Sequence, residues 1–305
     1  MTGVLDWNVA VYGVNEGARL RGCLESVTVA LDGSRALITV ILNGSRDNSL
    51  EIVRAAARSG QPIEVFQIAA ADKSNAINQF NHVLRSPARA YAGVDGYAWV
   101  GRRSFEAMQH RLDTDPHAMA VSAIATTGRT MRHTAASSLR TGGQLTGQLH
   151  ASRSEFLDRM VARGIRLPVG LYRGDGLLNS MACHNLDAMG EAWDNARVPA
   201  VADATFAIPV LSPFKAQDIK RQYHRKIRQM RGTIENVAIK TIIYKSGYEG
   251  LPSDADAMIR DHLAVHGAPP ASLLDRTFLG MAIRHAASAV PFKPEDLMPH
   301  RVALG

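Results

Sequence analysis

The stretch Ala36-Leu-Ile-Thr-Val-Ile-Leu42, continued by Asn43-Gly-Ser-Arg-Asp-Asn-Ser49, the helical run Leu50–Arg58 and Ile63-Glu-Val-Phe-Gln-Ile68, decides the fold. The first run is apolar except at Thr39 and rich in β-branched side chains, as a strand buried on both faces must be. Asp47 or Asn48 caps the following helix and Gly60 ends it, so a second strand begins at Ile63. That is a β-α-β unit, and the same rhythm continues on either side. Before it, Trp7-Asn-Val-Ala-Val-Tyr12 reads as a strand, and Asn15 is expected to cap a helix with Leu20, Leu24 and Val27 on one face. After it, Ile77, Phe80 and Leu84 mark a third helix, and Tyr91-Ala-Gly-Val94 a fourth strand ending at Asp95. Repeated units of this length predict an α/β fold, Rossmann-like, with a mostly parallel central sheet flanked by helices. Ligands of such sheets bind beyond the carboxyl ends of the strands, the edge to which Gly13, Asn43 and Asp95 belong.

Further along, His117–Ile124 reads as a fifth strand and Gly128–Gly143 as a loop rich in Thr, Ser, Arg and Gly. Beyond Asn236, Ser253-x-x-Asp256 and Ser272-x-x-Asp275 predict the starts of two helices. We therefore expect three parts: residues 1–100 and 101–235 as two halves of one domain, and 236–305 as a helical C-terminal extension.

The chain has 305 residues, 46% of them hydrophobic and 21% charged, which suffices for a full core. No run reaches the roughly 18 apolar residues of a membrane span, and the start does not read as a secretory signal. Cys23 and Cys183 are too few for a disulfide framework, so a reducing, cytoplasmic address is expected. Net charge is +7, and between Lys215 and Arg231 seven Lys/Arg residues face one acid, Asp218. A charge concentrated this way fits a diphosphate or an anionic membrane surface better than nucleic acid, which favours a spread of charge or interleaved aromatics. The glycine spacing after the first strand is wrong for a dinucleotide fingerprint, and the richer glycine loop and following lysine that a sugar nucleotidyltransferase needs are not present.

The order of motifs resembles the inverting family-two glycosyltransferases, of GT-A fold, over about residues 7 to 232. Val9–Glu16 looks like that family's first strand and "Asn-Glu" turn, and Leu42–Ser49 is similar to its "Asp-Asp-Gly-Ser" loop, with Leu42 and Asn43 in place of the acids. Lys73-Ser-Asn-Ala-Ile-Asn78 matches "Lys-x-x-Ala-x-Asn", and Asp95-Gly-Tyr97 stands where "Asp-x-Asp" belongs. Gly147–Arg153 resembles the strand before the acceptor region, Gly174-Asp-Gly-Leu-Leu178 the "Glu-Asp-x-x-Leu" segment, and Gln222-Tyr-His-Arg225 the start of "Gln-x-x-Arg-Trp", with Lys226 for Trp.

The resemblance implies transfer of a sugar from a nucleotide-sugar, UDP-sugars foremost, to a sugar, lipid-linked or small-molecule acceptor. Asp175 then stands as the catalytic base; by its residues alone it also reads as a helix cap. Tyr12, Glu16, Asn43, Lys73, Asp95, Arg225 and Arg228 are the candidate donor-binding residues. Asn43 offers a donor and an acceptor to a base edge, or is only a turn residue before Gly44. Lys73 neutralises a phosphate or pairs with a carboxylate, and Asp95 accepts a ribose hydroxyl or ligates Mg2+ or Mn2+. With Tyr97 in place of the second acid, cation dependence is expected to be weak. Arg221, Arg225 and Arg228 share one helix side, where an anion would relieve their repulsion. His150 and His184 are further candidates for a metal. The departures at Leu42, Tyr97, Gly174 and Lys226 leave a catalytically impaired nucleotide-sugar-binding relative as the rival reading.

Overall fold

The computed structural model describes residues 4–128, 136–209 and 216–304. The chain runs β1 (Leu5–Gly13), α1 (Gly17–Ala30), β2 (Ala36–Asn43), α2 (Ser49–Arg58), β3 (Ile63–Ile68), α3 (Lys73–Gln79) and β4 (Ala88–Asp95). It continues through β5 (Trp99–Val100), α4 (Ser104–Thr114), β6 (Ala120–Ala125), a short helix α5 at 136–141, β7 (Leu149–Arg153), α6 (Ser154–Ala162), α7 (Gly174–Cys183) and β8 (Ala200–Ala207). Three helices, α8 (Ala216–Ser246), α9 (Ala255–His266) and α10 (Leu273–Ser288), precede a last strand, β9 (His300–Val302).

Among the described residues, nine strands form one sheet in the order β5-β8-β6-β7-β4-β1-β2-β3-β9. Strands β3, β2, β1 and β4 are mutually parallel, while β7 is antiparallel to both β4 and β6, and β9 is antiparallel to β3. The chain thus winds outward from β1 to β3 and then crosses back to lay β4 on the other side of β1. That reversal opens a crevice between the carboxyl ends of β1 and β4, the usual ligand position of an open α/β sheet.

Strand alternation divides the core. Val9, Val11, Val40 and Leu42 face α1, α2 and α4. Ala10, Tyr12 and Ile41 face the layer made by α3, α6, α7, α8 and α9. Leu20, Leu24 and Val27 are fully buried, as their spacing predicts. A smaller cluster of Ile234, Ile259, Leu279 and Ala286 joins α8, α9 and α10. None of the described helices is long and apolar enough to cross a membrane.

Several local expectations are corrected. Asn15 is not the cap of α1; Glu16 is, and Asn15 takes a left-handed φ of 51°. Its Oδ1 accepts from the Arg46 amide at 2.8 Å, tying the β1 exit to the β2 exit. Asp254, not Ser253, caps α9 by accepting from the Ala257 amide at 2.6 Å, whereas Ser272 caps α10 as expected. Within the segment read as a loop, 136–141 are helical, and 129–135 lie outside the described residues. Helix α8, which carries the basic stretch, runs unbroken from Ala216 to Ser246.

At Gly44, φ is +75°, and a Cβ built there would stand 2.5 Å from Ala71 Cβ and 2.7 Å from Ala71 Cα. The exits of β2 and β3 touch here, and only hydrogen fits between them. Gly44→Ala is expected to cost about 2 kcal/mol through strain and overpacking. Chemical denaturation checks this; an unchanged midpoint would show that the two loops are free to separate.

Candidate functional site

Three carboxyl ends meet at the crevice. Tyr12 pairs in register with Asp95 across β1 and β4, and Asn43, two residues beyond Ile41, shares their face of the sheet. Asp95 is 6% exposed, and both its oxygens are engaged. Oδ1 accepts from the Lys73 ammonium and Oδ2 from the Tyr97 hydroxyl at 2.8 Å. Gln148 donates to the same hydroxyl at 3.3 Å. The replacement of an acid by Tyr97 therefore turns a potential ligand into a hydrogen-bond donor that orients Asp95. Burial, and then Asp95, raises the pKa of both Tyr12 and Tyr97, which keeps the phenols neutral.

Lys73 opens α3 because Asp72 caps that helix, its Oδ1 accepting from the Asn75 amide at 2.6 Å and its Oδ2 from the Gly170 amide at 2.9 Å. An ammonium at a helix N-terminus opposes the helix dipole and needs an anionic partner. Burial works against its charge, but Asp95 and then Asp175 outweigh burial and hold its pKa above the ordinary lysine value. Lys73 Nζ also donates to the Gly147 carbonyl at 3.3 Å and lies 5.8 Å from the centre of the Tyr12 ring.

Asp175 comes from the same helical layer as Lys73, in the first turn of α7, whose N-cap position is occupied by Arg173. A Cβ built on Gly147 would stand 2.9 Å from Asp175 Oδ2 and 3.3 Å from Lys73 Nζ. Lys73, already paired with Asp95, thus also comes close to Asp175 beside Gly147, and that glycine leaves the room for the two to approach. Gly147 lies before the strand rather than in it, since β7 begins at Leu149, and it acts as a spacer.

The other candidates spread outward. Glu16 sits at the start of α1 with its side chain 13% exposed, and pairs with Arg19 at 3.5 Å. Asn43 is 4% exposed, and its Oδ1 finds no hydrogen-bond partner among the described residues. On α8, Arg228 lies over the Tyr172 ring at 5.8 Å, close to the turn that leads into Asp175. Arg225 stands exposed about one turn before it. Lys215 and the Arg221 side chain lie outside the described residues. Lys226 is bound to Asp275 at 2.8 Å.

The histidines separate. His184 is held by the Tyr248 hydroxyl at 2.8 Å in an aromatic cluster with Trp193 and Tyr244, at the far end of α7 from Asp175. His150 packs against Gly93 in the crevice, with Nδ1 bound to the Thr146 carbonyl at 2.9 Å. Among the described residues, no three His, Cys, Asp or Glu side chains converge to hold a metal ion. Asp95, with both oxygens taken by an ammonium and a neutral phenol, is a poor anchor for Mg2+ or Mn2+.

Burial, and then the Lys73 charge, pushes the His150 pKa down to about 4. Unfolded, the ring titrates near 6.5, so below that pH the unfolded chain gains a proton the folded chain refuses. Stability falls as pH drops through this window, by up to about 1.4 kcal/mol per unit, and levels off once the folded form also protonates. His150→Gln is expected to flatten this dependence between pH 6 and 4.5. Equal slopes in denaturant titrations of the two proteins would remove His150 from the account.

Comparison with known proteins bears on the fold and the family. Among curated proteins, none matches the sequence. The fold resembles a mannosyltransferase from Pyrobaculum calidifontis in complex with GDP-Man and Mn2+, at 18% identity and TM-score 0.57, covering 96% of this chain and 83% of that one. TarS of S. aureus, residues 1–349 with UDP-GlcNAc, is similar at 15% identity and TM-score 0.55, covering 94% and 82%. Glucosyl-3-phosphoglycerate synthase from Mycobacterium tuberculosis, with Mn2+, UDP-glucose and phosphoglyceric acid, follows at 14% and 0.52, covering 81% of each chain. These likenesses concern the GT-A fold. The model of glycosyl transferase family 2 matches residues 9–168, just over half of the chain, and the protein belongs to that family.

Proposed function

We propose that the chain is an inverting hexosyltransferase that takes a nucleotide-sugar, foremost a UDP-sugar, as donor. The observation that carries this reading is the Lys73 ammonium held among Asp95, Asp175 and the Gly147 carbonyl at the switch point of the sheet. Residues 1–100 form the donor half: Asn43 meets the base, Asp95 anchors Lys73 at the diphosphate end, and Tyr12 and Glu16 line the approach. Residues 101–235 form the acceptor half and supply Asp175.

In the reaction, an acceptor hydroxyl oxygen attacks the anomeric carbon from the face opposite the nucleotide. The bond from that carbon to the diphosphate oxygen breaks, and its electron pair leaves with the nucleoside diphosphate. Asp175 takes the proton from the attacking oxygen. Lys73, with Arg225 and Arg228 from α8, neutralises the charge that grows on the diphosphate. The same basic stretch is suited to reversible contact with the anionic inner face of a membrane, where a lipid-linked acceptor would be met.

Asp175→Asn keeps the size of the side chain but cannot accept a proton near neutral pH. Transfer should fall by about 100-fold or more, with donor affinity little changed. Asp95→Asn should instead weaken donor binding by roughly 1 to 3 kcal/mol, since Lys73 and Tyr97 lose their anionic anchor. Donor affinity by calorimetry and single-turnover transfer separate the two effects. Wild-type transfer by Asp175→Asn would sink the assignment of the base, and no transfer by the wild type with any nucleotide-sugar would favour a binding protein without catalysis.

Because protein cations surround Asp95, transfer is expected to survive in part when EDTA is present. A complete loss restored by added Mn2+ would overturn this, and would mean that donor binding displaces Lys73 from Asp95 to admit a metal.

A further inference from the structure

Next to the crevice, on its β3 side, lies a cleft of about 580 Å3 lined by Val14, Asn15, Gly44, Arg46 and Ala69–Ala71, and also by Phe292 and Asp296. Its first three walls are the exits of β1, β2 and β3. The fourth belongs to a segment more than 200 residues later in the chain. That segment is pinned along its length. The Ala70 amide donates to the Asp296 carbonyl at 2.9 Å, and Asn75 and Gln79 donate to the Leu297 carbonyl at 2.8 and 3.1 Å. Farther on, β9 pairs with Val65–Gln67 of β3.

We infer that this C-terminal strap completes the pocket for the base of the donor, with Phe292 as its stacking face. The inference rests on the donor reading above and extends it to residues that the family match does not reach. Three observations carry it. Phe292 is 42% exposed at the cleft, although the strap behind it is fixed by hydrogen bonds to α3 and β3. A bare aromatic face at the mouth of a cleft suits a flat, π-faced ligand better than water. Three consecutive alanines, Ala69 to Ala71, line the same cleft and present a low surface without polar side chains.

Asn43 supplies the third observation. It ends the strand that leads to Gly44, is almost wholly buried, and has an Oδ1 without a partner among the described residues. An amide oxygen in that state suits the ring N–H of a base. Sheet order gives the span: β4, with Asp95, stands three strands from β3, about 14 Å at the usual spacing. A nucleoside diphosphate laid across the strand ends therefore has its phosphates near Lys73 and its base against the strap.

Calorimetry on the full chain with UDP, GDP and inorganic pyrophosphate tests this. For the wild type, at least one nucleoside diphosphate should bind more tightly than pyrophosphate. Phe292→Ala should weaken that nucleotide about 10-fold and leave pyrophosphate unchanged, since one base–aromatic stack is lost. Phe292→Trp should retain affinity, with its indole fluorescence quenched in a saturable way. If Phe292→Ala binds the nucleotide like the wild type, or loses pyrophosphate in equal measure, the strap has no part in base recognition, while the donor reading stands. If the wild type prefers no nucleoside diphosphate to pyrophosphate, both fall.

Discussion

The ion pair between Lys73 and Asp95 is the constraint around which the crevice is arranged. Asp95 is buried at the end of a central strand, where an unpaired carboxylate would be expensive. Lys73 reaches it only because α3 begins where it does, and α3 begins there because Asp72 caps it and is itself bound by Gly170. The segment around Gly170 is fixed in turn by α8, through Arg231, which bonds the Gly170 carbonyl at 2.9 Å and pairs with Glu235 and Asp256. Glu235 is fully buried and accepts from the Tyr172 amide. A chain of charge-assisted contacts thus runs from the C-terminal helices to the acid at the sheet's switch point.

Most of the sheet was legible because its strands are short, apolar runs between helices with strong punctuation. Ala36–Leu42 and Ile63–Ile68 were readable almost to the residue. What escaped were features set by tertiary partners. Asn15 has the chemistry of a cap, but the Arg46 amide offered its side chain a better use. Ser253 and Asp254 are both competent caps, and local sequence does not choose between them. The length of α8 depends on burial of Ile234, Ala238, Ile239 and Ile243 against other elements, which overrides any local stop signal.

In the site, the polar groups were recognisable as residue types, but their pairing was not. Tyr97 reads in the sequence as a missing acid; in the fold its hydroxyl fixes the acid that remains. Gly147 carries no side chain to notice, yet its lack of a Cβ makes room for Asp175 beside Lys73. Lys226, counted in the sequence with the anion-binding charges, spends its charge on Asp275. Charge patterning located the basic stretch but did not say which cations were already taken.

The last strand has a second consequence, for solubility. Without β9, the outer rim of β3 would present a row of free amides and carbonyls, with Ile63, Val65 and Ile68 alongside, a template for another chain. Three residues, His300 to Val302, cover that rim. The strand that replaces it at the margin is short, carries exposed His300 and Arg301, and sets Arg301 3.5 Å from Glu64. A brief, charged border of this kind resists extension by a neighbour. The opposite margin is kept shorter still, by the two residues of β5. The sheet is thereby guarded at its β3 margin against growth into a fibre or a strand-exchanged dimer.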